Sequence, residues 1–231
     1  MEGKGDKAAV PVLARRVLSA IGGTDALFVD NGEPFKVKGI GTLVKNSYAD
    51  WHRWLGAAGR TRKNIGAVLL VLDGDADQVP QKWASYAATY KTTDFCAYRV
   101  AAMLAHEARS SRAGDAFSLS VVFAMKEFEA WLVAGVESLR GEMLAEGRGT
   151  VPADATPPGI DIDIEAKRDA KGVLSELIPG YVQSLDQAVL AEKVDLTMVA
   201  QRCKSFRRFQ STIEKMVNAA RSGSRIISPT I

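Results

Sequence analysis

The stretch AVLLVLD, residues 67–73, decides the fold. A continuous apolar run of this length that ends in a charged residue is typical of a strand buried on both faces of a parallel sheet. A second apolar stretch, residues 117–124, leads into a segment of helical period at 126–134, and another helical segment at 94–109 lies between the two strands. Strands that alternate with helices predict an α/β fold with a mostly parallel sheet flanked by helices.

Local composition predicts how the rest of the chain is organised. Residues 146–166 are rich in Gly, Pro and Asp, and as a loop they separate an α/β domain at 1–145 from a helical C-terminal extension at 167–231. The other predicted elements are helices at 7–21, 47–58 and 79–90, strands at 27–30 and 35–40, and C-terminal helices at 167–178, 184–192, 195–202 and 205–221.

Composition excludes several classes of protein. The 231 residues are 47% hydrophobic and 25% charged, as in an ordinary globular domain rather than a disordered chain. Cys96 and Cys203 form no CxxC motif, which argues against a disulfide framework or a zinc knuckle. No stretch approaches the roughly 20 consecutive apolar residues of a membrane span. We therefore expect a cytoplasmic protein with no membrane partner, and the question of a homo-oligomer stays open.

Positive charge is concentrated in two blocks, although the formal net charge is only +3. Residues 36–63 contain seven Lys or Arg against one Asp, and residues 202–225 contain seven against one Glu. Such blocks are usually solvated helix faces, and they are also the electrostatic footprint of nucleic-acid binding. Under the second interpretation the cations that contact nucleic acid would be Lys45, Arg53, Lys171, Arg207 and Arg208.

Two aspartates stand where the strand predicted at 67–73 ends. Because side chains alternate along an extended chain, Asp73 and Asp75 point to the same side. Carboxylates held this close repel each other unless a cation neutralises them, so the pair favours a hard divalent ion such as Mg²⁺. The alternative is a solvated turn around Gly74. An EF-hand is excluded, because the sixth and twelfth positions of its loop would be Gln78 and Ala84.

A second acidic element, Glu2-Gly3-Lys4-Gly5-Asp6, precedes the first predicted helix. Together with the DxD of Asp73 and Asp75, and with a later strand that leads into an acidic helix, this EGxxD turn resembles the Toprim domain. The resemblance covers essentially the whole chain. It narrows to an uncharacterised bacterial family of small stand-alone Toprim-like proteins, related to the OLD-family nucleases, on three further stretches: VVFAMKEFEAWLVAG (121–135), DAKGVLSEL (169–177) and RCKSFRRF (202–209).

The resemblance implies a fold, a cofactor and catalytic acids. Residues 1–145 would form the Toprim-like domain, with Mg²⁺ or Mn²⁺ as cofactor. Glu2, Asp73 and Asp75 would be the Toprim acids, and Asp6 would match the additional acid of OLD-type enzymes. In the family an apolar strand precedes the acidic turn, whereas here Met1 directly precedes Glu2. We therefore expect either a start further upstream or a Glu2 without its usual support.

Chemistry adds three candidates to these acids. Asp77 would act on the metal through a water molecule. Glu129, on the helix after the second strand, is either a further metal ligand or a solvent-facing residue. Among the cations, Lys204 is the first candidate to stabilise charge on a scissile phosphate, and the alternative for it is simple surface charge.

These residues predict a metal-dependent nuclease that hydrolyses phosphodiesters of DNA or RNA. OLD-type systems work with an ATPase in defence against foreign DNA, and this sequence has no GxxxxGK[ST] motif, so a separate ATPase partner is expected. One alternative is a non-catalytic module of the same fold that binds nucleic acid or regulates a partner. Another is a DxD phosphatase, although Asp77 then stands where Thr or Val is expected.

Overall fold

The computed structural model describes residues 4–61, 65–159, 163–166 and 168–230. Short 3-10 helices within this part are Ala108–Ser111, Val136–Leu139 and Ala145–Gly147. None of the described helices is both long enough and apolar enough to cross a membrane. The strands are β1 (Ala67–Asp73), β2 (Ser118–Ala124) and β3 (Ile227–Ser228). The α-helices are α1 (Lys4–Ala20), α2 (Gly39–Thr61), α3 (Ala84–Tyr90), α4 (Ala97–Glu107), α5 (Glu129–Ala134), α6 (Ala170–Leu177), α7 (Gln183–Lys193), α8 (Leu196–Arg202) and α9 (Lys204–Arg221).

The three strands form one parallel sheet in the order β1-β2-β3. Ala67 pairs with Ser118 and Asp73 pairs with Ala124, so β1 and β2 are matched over their whole length. β3 is short and pairs only with the amino-terminal half of β2. The predicted α/β fold with a parallel sheet is therefore confirmed, and the carboxyl ends of β1 and β2 lie side by side.

Alternation of side chains divides the core into two layers, one on each face of the sheet. Leu70 and Leu72 of β1 pack with α2, α3 and α4, whereas Val71 packs with α1 and with the helices from α5 to α9. Helices cover both faces, so neither face of these strands needs polar side chains. This explains why β1 is an unbroken hydrophobic run from Ala67 to Leu72, and why β2 is apolar apart from the small residues Ser118 and Ser120.

One hydrophobic cluster joins the two ends of the chain. It contains Leu13 of α1, Trp131 of α5, Leu190 of α7 and Phe209 of α9. The helices that follow residue 167 therefore complete the core under one face of the sheet. The cluster crosses both predicted boundaries, at 145 and at 167.

The prediction of strands at 27–30 and 35–40 is wrong, because both segments are loop until α2 begins at Gly39. The backbone N–H of Leu27 donates to Gly23 O at 3.1 Å, and the Leu27 side chain packs against the cluster that contains α1. A short apolar run becomes a strand only where a sheet edge offers hydrogen-bond partners. Here Leu27 and Val29 pack, partly buried, against a helical layer instead, whereas Phe28 is 84% exposed.

The helix predicted at 47–58 lies inside the longer α2. Helical geometry is interrupted at Lys45, and the three residues Asn46, Ser47 and Tyr48 have φ values of 50°, 51° and 63°. Tyr48 is buried at this interruption, and its hydroxyl accepts a hydrogen bond from Trp83 Nε1 at 2.7 Å. The change of direction thus brings Tyr48 to a partner outside its own helix.

We expect Trp131→Ala to lower the free energy of unfolding by about 3–5 kcal/mol, the usual cost of truncating a large buried aromatic side chain. The indole is 1% exposed, its centroid lies 5.2 Å from that of Phe206 and 5.3 Å from that of Phe209, and its N–H donates to Ser205 Oγ. Urea denaturation measures the change. Trp131→Phe keeps the aromatic packing and should lose less; an unchanged midpoint in Trp131→Ala would contradict the burial of this ring.

Candidate functional site

Asp73 stands at the junction between the ends of β1 and β2. The backbone N–H of Gly74 donates to Ala124 O at 2.9 Å. A Cβ atom on Gly74 would also lie 2.9 Å from that oxygen, so only glycine allows the chain to leave β1 this close to β2. Asp73 Oδ1 accepts a hydrogen bond from the backbone N–H of Phe128 at 2.9 Å. The carboxylate is thereby held beside the start of α5.

Glu129 is the first residue of α5 and is 3% exposed. Its Oε1 atom accepts hydrogen bonds from Gln183 Nε2 at 2.8 Å and from Gln187 Nε2 at 2.9 Å. Burial raises the pKa of the Glu129 carboxyl to about 7, and the negative charges of Asp6 and Glu127 act in the same direction. The solvent-facing alternative for Glu129 is therefore wrong, because its side chain faces inward.

Asp6 lies near the start of α1 and is 5% exposed. Its charge contributes to the raised pKa of Glu129 and also to that of the Tyr181 phenol, for which burial is the main cause. Gly5 allows this approach, because a Cβ atom there would lie 2.0 Å from Gln187 Oε1. We call the buried residues Asp6, Glu129 and Gln187, together with the partly buried Tyr181 and Gln183, the buried polar cluster.

The other predicted acids are less enclosed. Asp75 and Asp77 are exposed, and Asp77 forms an ion pair with Arg168. Glu2 lies outside the described residues. Across the described ranges, no three His, Cys, Asp or Glu side chains come together in a way that could hold a metal ion. The structure thus places Asp73, Asp6 and Glu129 in one region without assembling a complete set of metal ligands from the described residues.

Two predicted cations begin helices. The backbone N–H of Lys204 donates to Glu165 Oε2 at 2.5 Å, and Glu165, 3% exposed, thereby caps the start of α9. The backbone N–H of Lys171 donates to Glu127 Oε2 at 3.0 Å at the start of α6. The charge of Lys171 also lowers the pKa of Glu129 in part, so this ammonium group acts on the buried polar cluster. The Lys204 side chain is exposed.

The remaining predicted cations lie on different faces of the molecule. Lys45 is exposed on α2, where Arg53 pairs with Asp50 at 2.9 Å, and α2 packs on the opposite face of the sheet from α9. On α9, Arg207 Nη1 donates to Ala200 O at 2.5 Å, while the guanidinium of Arg208 lies 5.9 Å from the Tyr98 ring centroid. A ligand that touches both basic blocks must therefore reach around the sheet.

Sequence reasoning missed the partners of the acids. Gln183 and Gln187 are four residues apart and so lie on one face of α7, but a pair of glutamines at this spacing is common on exposed helices. Glu165 lies in the segment rich in Gly and Pro, and Tyr181 follows Pro179 and Gly180 in the connection between α6 and α7, so neither belongs to a periodic pattern. Only the packing of α1 and α5 against α7 brings these side chains to Glu129 and Asp6.

Fold and site together define an α/β protein with a parallel sheet, an aspartate at the carboxyl end of β1, and the buried carboxylate of Glu129 at the start of the helix that follows β2. The chain belongs to the family described as "Domain of unknown function (DUF4276)", whose model matches residues 1–214. This agrees with the predicted membership of an uncharacterised family over the whole chain. No curated protein and no solved structure matches the chain.

We expect Glu129→Gln to stabilise the protein at pH 8 and to leave its stability nearly unchanged near pH 4. The Glu129 pKa is about 7 in the folded state and 4.5 as the reference value, so the folded state holds the proton more tightly and wild-type stability falls as pH rises from about 4.5 to about 7. Glutamine stays neutral and removes this penalty. At 1.36 kcal/mol per pKa unit, the gain at pH 8 is up to about 3 kcal/mol.

Urea denaturation of wild type and Glu129→Gln at pH 4 and pH 8 measures this difference. Glu214→Gln on the exposed face of α9 is the matched control, and we expect no pH-dependent gain for it. An equal effect of Glu129→Gln at both pH values would show that the carboxylate carries no burial penalty.

Proposed function

We propose that this protein is a Mg²⁺- or Mn²⁺-dependent phosphodiesterase that cuts DNA or RNA and is related to Toprim and OLD-family nucleases. The observation that carries the proposal is the position of Asp73. Its carboxylate stands at the carboxyl end of β1, bonded to the start of α5, where Glu129 is buried under the influence of the Asp6 charge. In open parallel sheets, ligands bind at the carboxyl ends of the strands.

The donor chemistry of this region fits a hard divalent cation. Mg²⁺ prefers carboxylate oxygens, and the buried charge of Glu129 is unfavourable without a cation to offset it. The residues proposed to hold the ion are Asp73, Asp6 and Glu129, together with Asp75 and Glu2, and the described acids among them would have to come closer together than they lie in this structure to share one ion. A bound ion would polarise the phosphate and lower the pKa of an attacking water.

The residues of the chain itself have separate tasks in this proposal. Gln183 and Gln187 orient Glu129 by donating to the same oxygen. The backbone N–H of Phe128 orients Asp73 in the same manner. Lys171, whose charge reaches Glu129, would bind the phosphate next to the acids, and Lys204 is the second candidate for this task. Asp77 would contribute little to the metal, because Arg168 already neutralises it.

In OLD-type systems such a domain works with an ATPase, and we extend this to a separate ATPase partner here. We also propose that the protein works in the reducing cytoplasm, where Cys96 and Cys203 would stay free thiols. The second candidate function is a non-catalytic nucleic-acid-binding or regulatory module. It is favoured by one observation: within the described parts of the chain, no three acidic or metal-binding side chains form a metal site.

We expect Asp73→Asn and Asp75→Asn to reduce cleavage of labelled DNA and RNA by at least about 100-fold in the presence of Mg²⁺ or Mn²⁺. Loss of a residue that only hydrogen-bonds a metal ligand lowers metal affinity or activity by about 10- to 100-fold, so loss of a ligand itself should lower activity at least as much. Both single-stranded and duplex substrates should be assayed, with EDTA as the metal-free reference. Asp115→Asn, an exposed acid paired with Arg112, is the matched control and should cut like wild type.

Isothermal titration calorimetry separates the two candidate functions. Wild type should bind Mn²⁺ more tightly at pH 8 than at pH 6, because the proton on Glu129 competes with the metal below about pH 7. If wild type binds neither Mn²⁺ nor Mg²⁺ and cuts no substrate with its partner present, the non-catalytic module is the correct assignment.

A further inference from the structure

A groove of about 600 Å³ lies on the edge of the sheet opposite to β1. Its walls come from α9, from β3 with the residues after it, and from Tyr98 at the start of α4, and Val121 of β2 contributes to its lining. The β2–β3 pairing stops at Ser120 and Ser228. The chain after Ser228 thus separates from β2, and the groove opens beside this point.

The described lining of the groove is positively charged. Arg208 and Lys215 both line it, both are exposed, and the lining residues in the described part of the chain include no Asp or Glu. By contrast, Arg148, Arg202 and Arg221 each pair with an acid elsewhere. Two cations that line one concave surface, with no acid in its described lining, create a positive potential that attracts an anion.

The groove also offers an aromatic face and neutral hydrogen-bonding groups. Tyr98 is 49% exposed, and its hydroxyl donates to Thr230 O at 3.1 Å, which holds the ring at the rim. Arg208 lies 5.9 Å from the centroid of this ring. Hydroxyl groups from Ser211 on α9 and from Ser224 lie in the lining. A cation next to an exposed aromatic ring is the combination that proteins use to hold a phosphate and stack the adjoining base.

We infer that this groove binds one nucleotide unit, with its phosphate against Arg208 and Lys215 and its base against Tyr98. A volume of about 600 Å³ is within the usual range for a small-molecule site and suits a single nucleotide rather than a duplex. The nucleotide would be either a free molecule or one residue of a single strand. Both sources present the same phosphate and base.

This inference extends the proposed function, in which the substrate is nucleic acid, and names a second contact outside the acidic region. β2 lies between β1, which carries Asp73, and the edge with the groove. Binding can be measured in EDTA, where the proposed metal-dependent cleavage is silent. Loss of cleavage and loss of groove binding are therefore observed separately.

The test is fluorescence anisotropy with a fluorescein-labelled thymidine pentanucleotide in EDTA. We expect Arg208→Ala and Lys215→Ala each to weaken binding about tenfold, the effect of one lost charge-assisted contact. Each variant should also make the log-log salt dependence shallower by about 0.7, the value for one phosphate of a single strand. Lys82→Ala removes an exposed cation outside the groove and should bind like wild type.

Variants of Tyr98 distinguish base stacking from binding by charge attraction alone. Tyr98→Ala should weaken binding about tenfold through loss of the stacked base. Tyr98→Phe removes the hydrogen bond to Thr230 but keeps the ring, and its affinity should stay within about twofold of wild type. Equal losses in both variants would show that Tyr98 acts only by holding the rim, and would overturn the assignment of a base contact.

Competition identifies the source of the nucleotide. Displacement of the oligonucleotide by adenosine monophosphate supports a free nucleotide, and failure of that competitor while the strand binds through Arg208 and Lys215 supports a residue of a strand. Inorganic phosphate that competes as well as adenosine monophosphate would overturn the nucleotide assignment. Wild-type affinity in both Arg208→Ala and Lys215→Ala would overturn the site itself.

A measurement on the wild-type protein tests the groove without relying on variants that could fail to fold. Acetylation of Lys215, followed by mass spectrometry, should slow at least about threefold when the pentanucleotide saturates the protein, while acetylation of Lys82 stays unchanged. Equal rates with and without the pentanucleotide would contradict binding in the groove.

Discussion

The parallel pairing of β1 with β2 sets the positions of the residues around the candidate site. It brings Asp73 opposite Ala124, and the glycine that follows Asp73 keeps the chain against the end of β2. The segment after β2 then turns into α5 within hydrogen-bond distance of the Asp73 carboxylate. A one-residue shift in this register would move every side chain of β1 to the opposite helical layer and would take Asp73 away from Ala124, so the packing of both layers depends on this register. The acidic region follows from the same pairing that the hydrophobic core requires.

The second determinant is the contact of α1 and α5 with α7. It buries Asp6 and Glu129 next to two glutamines, an arrangement that costs folding free energy because a carboxylate loses hydration there. The apolar core offsets this cost, because the ring of Trp131 on α5 packs against the rings of Phe206 and Phe209 on α9. Buried acids of raised pKa are found at functional sites more often than in purely structural positions. The same helices therefore supply both the stability of this layer and its unusual electrostatics.

The cations on the surface of the C-terminal half have different roles. Several cations of the C-terminal half cap helices or pair with acids: Arg207 binds carbonyl groups at the end of α8, and Arg202 pairs with Glu137. These interactions hold α8 and α9 in place and leave Arg208 and Lys215 facing the groove. The basic block at 202–225 thus contains cations that stabilise the fold and cations that can contact a ligand.

The sequence by itself determined the elements whose signal is local. The runs at 67–73 and 117–124 predicted β1 and β2 within one residue, and helical spacing predicted α6 to α9, because burial on a defined face imposes a period that a short window contains. The segments at 27–30 and 35–40 have strand-like composition, and only the tertiary structure decided that they meet a helical layer rather than a sheet edge. Glu129 was a candidate from its place after β2, yet its burial and its partners 54 and 58 residues away depend on contacts that no local pattern encodes. The groove beside Tyr98 and Arg208 has the same origin, since it exists only where α9, α4 and the end of the chain meet.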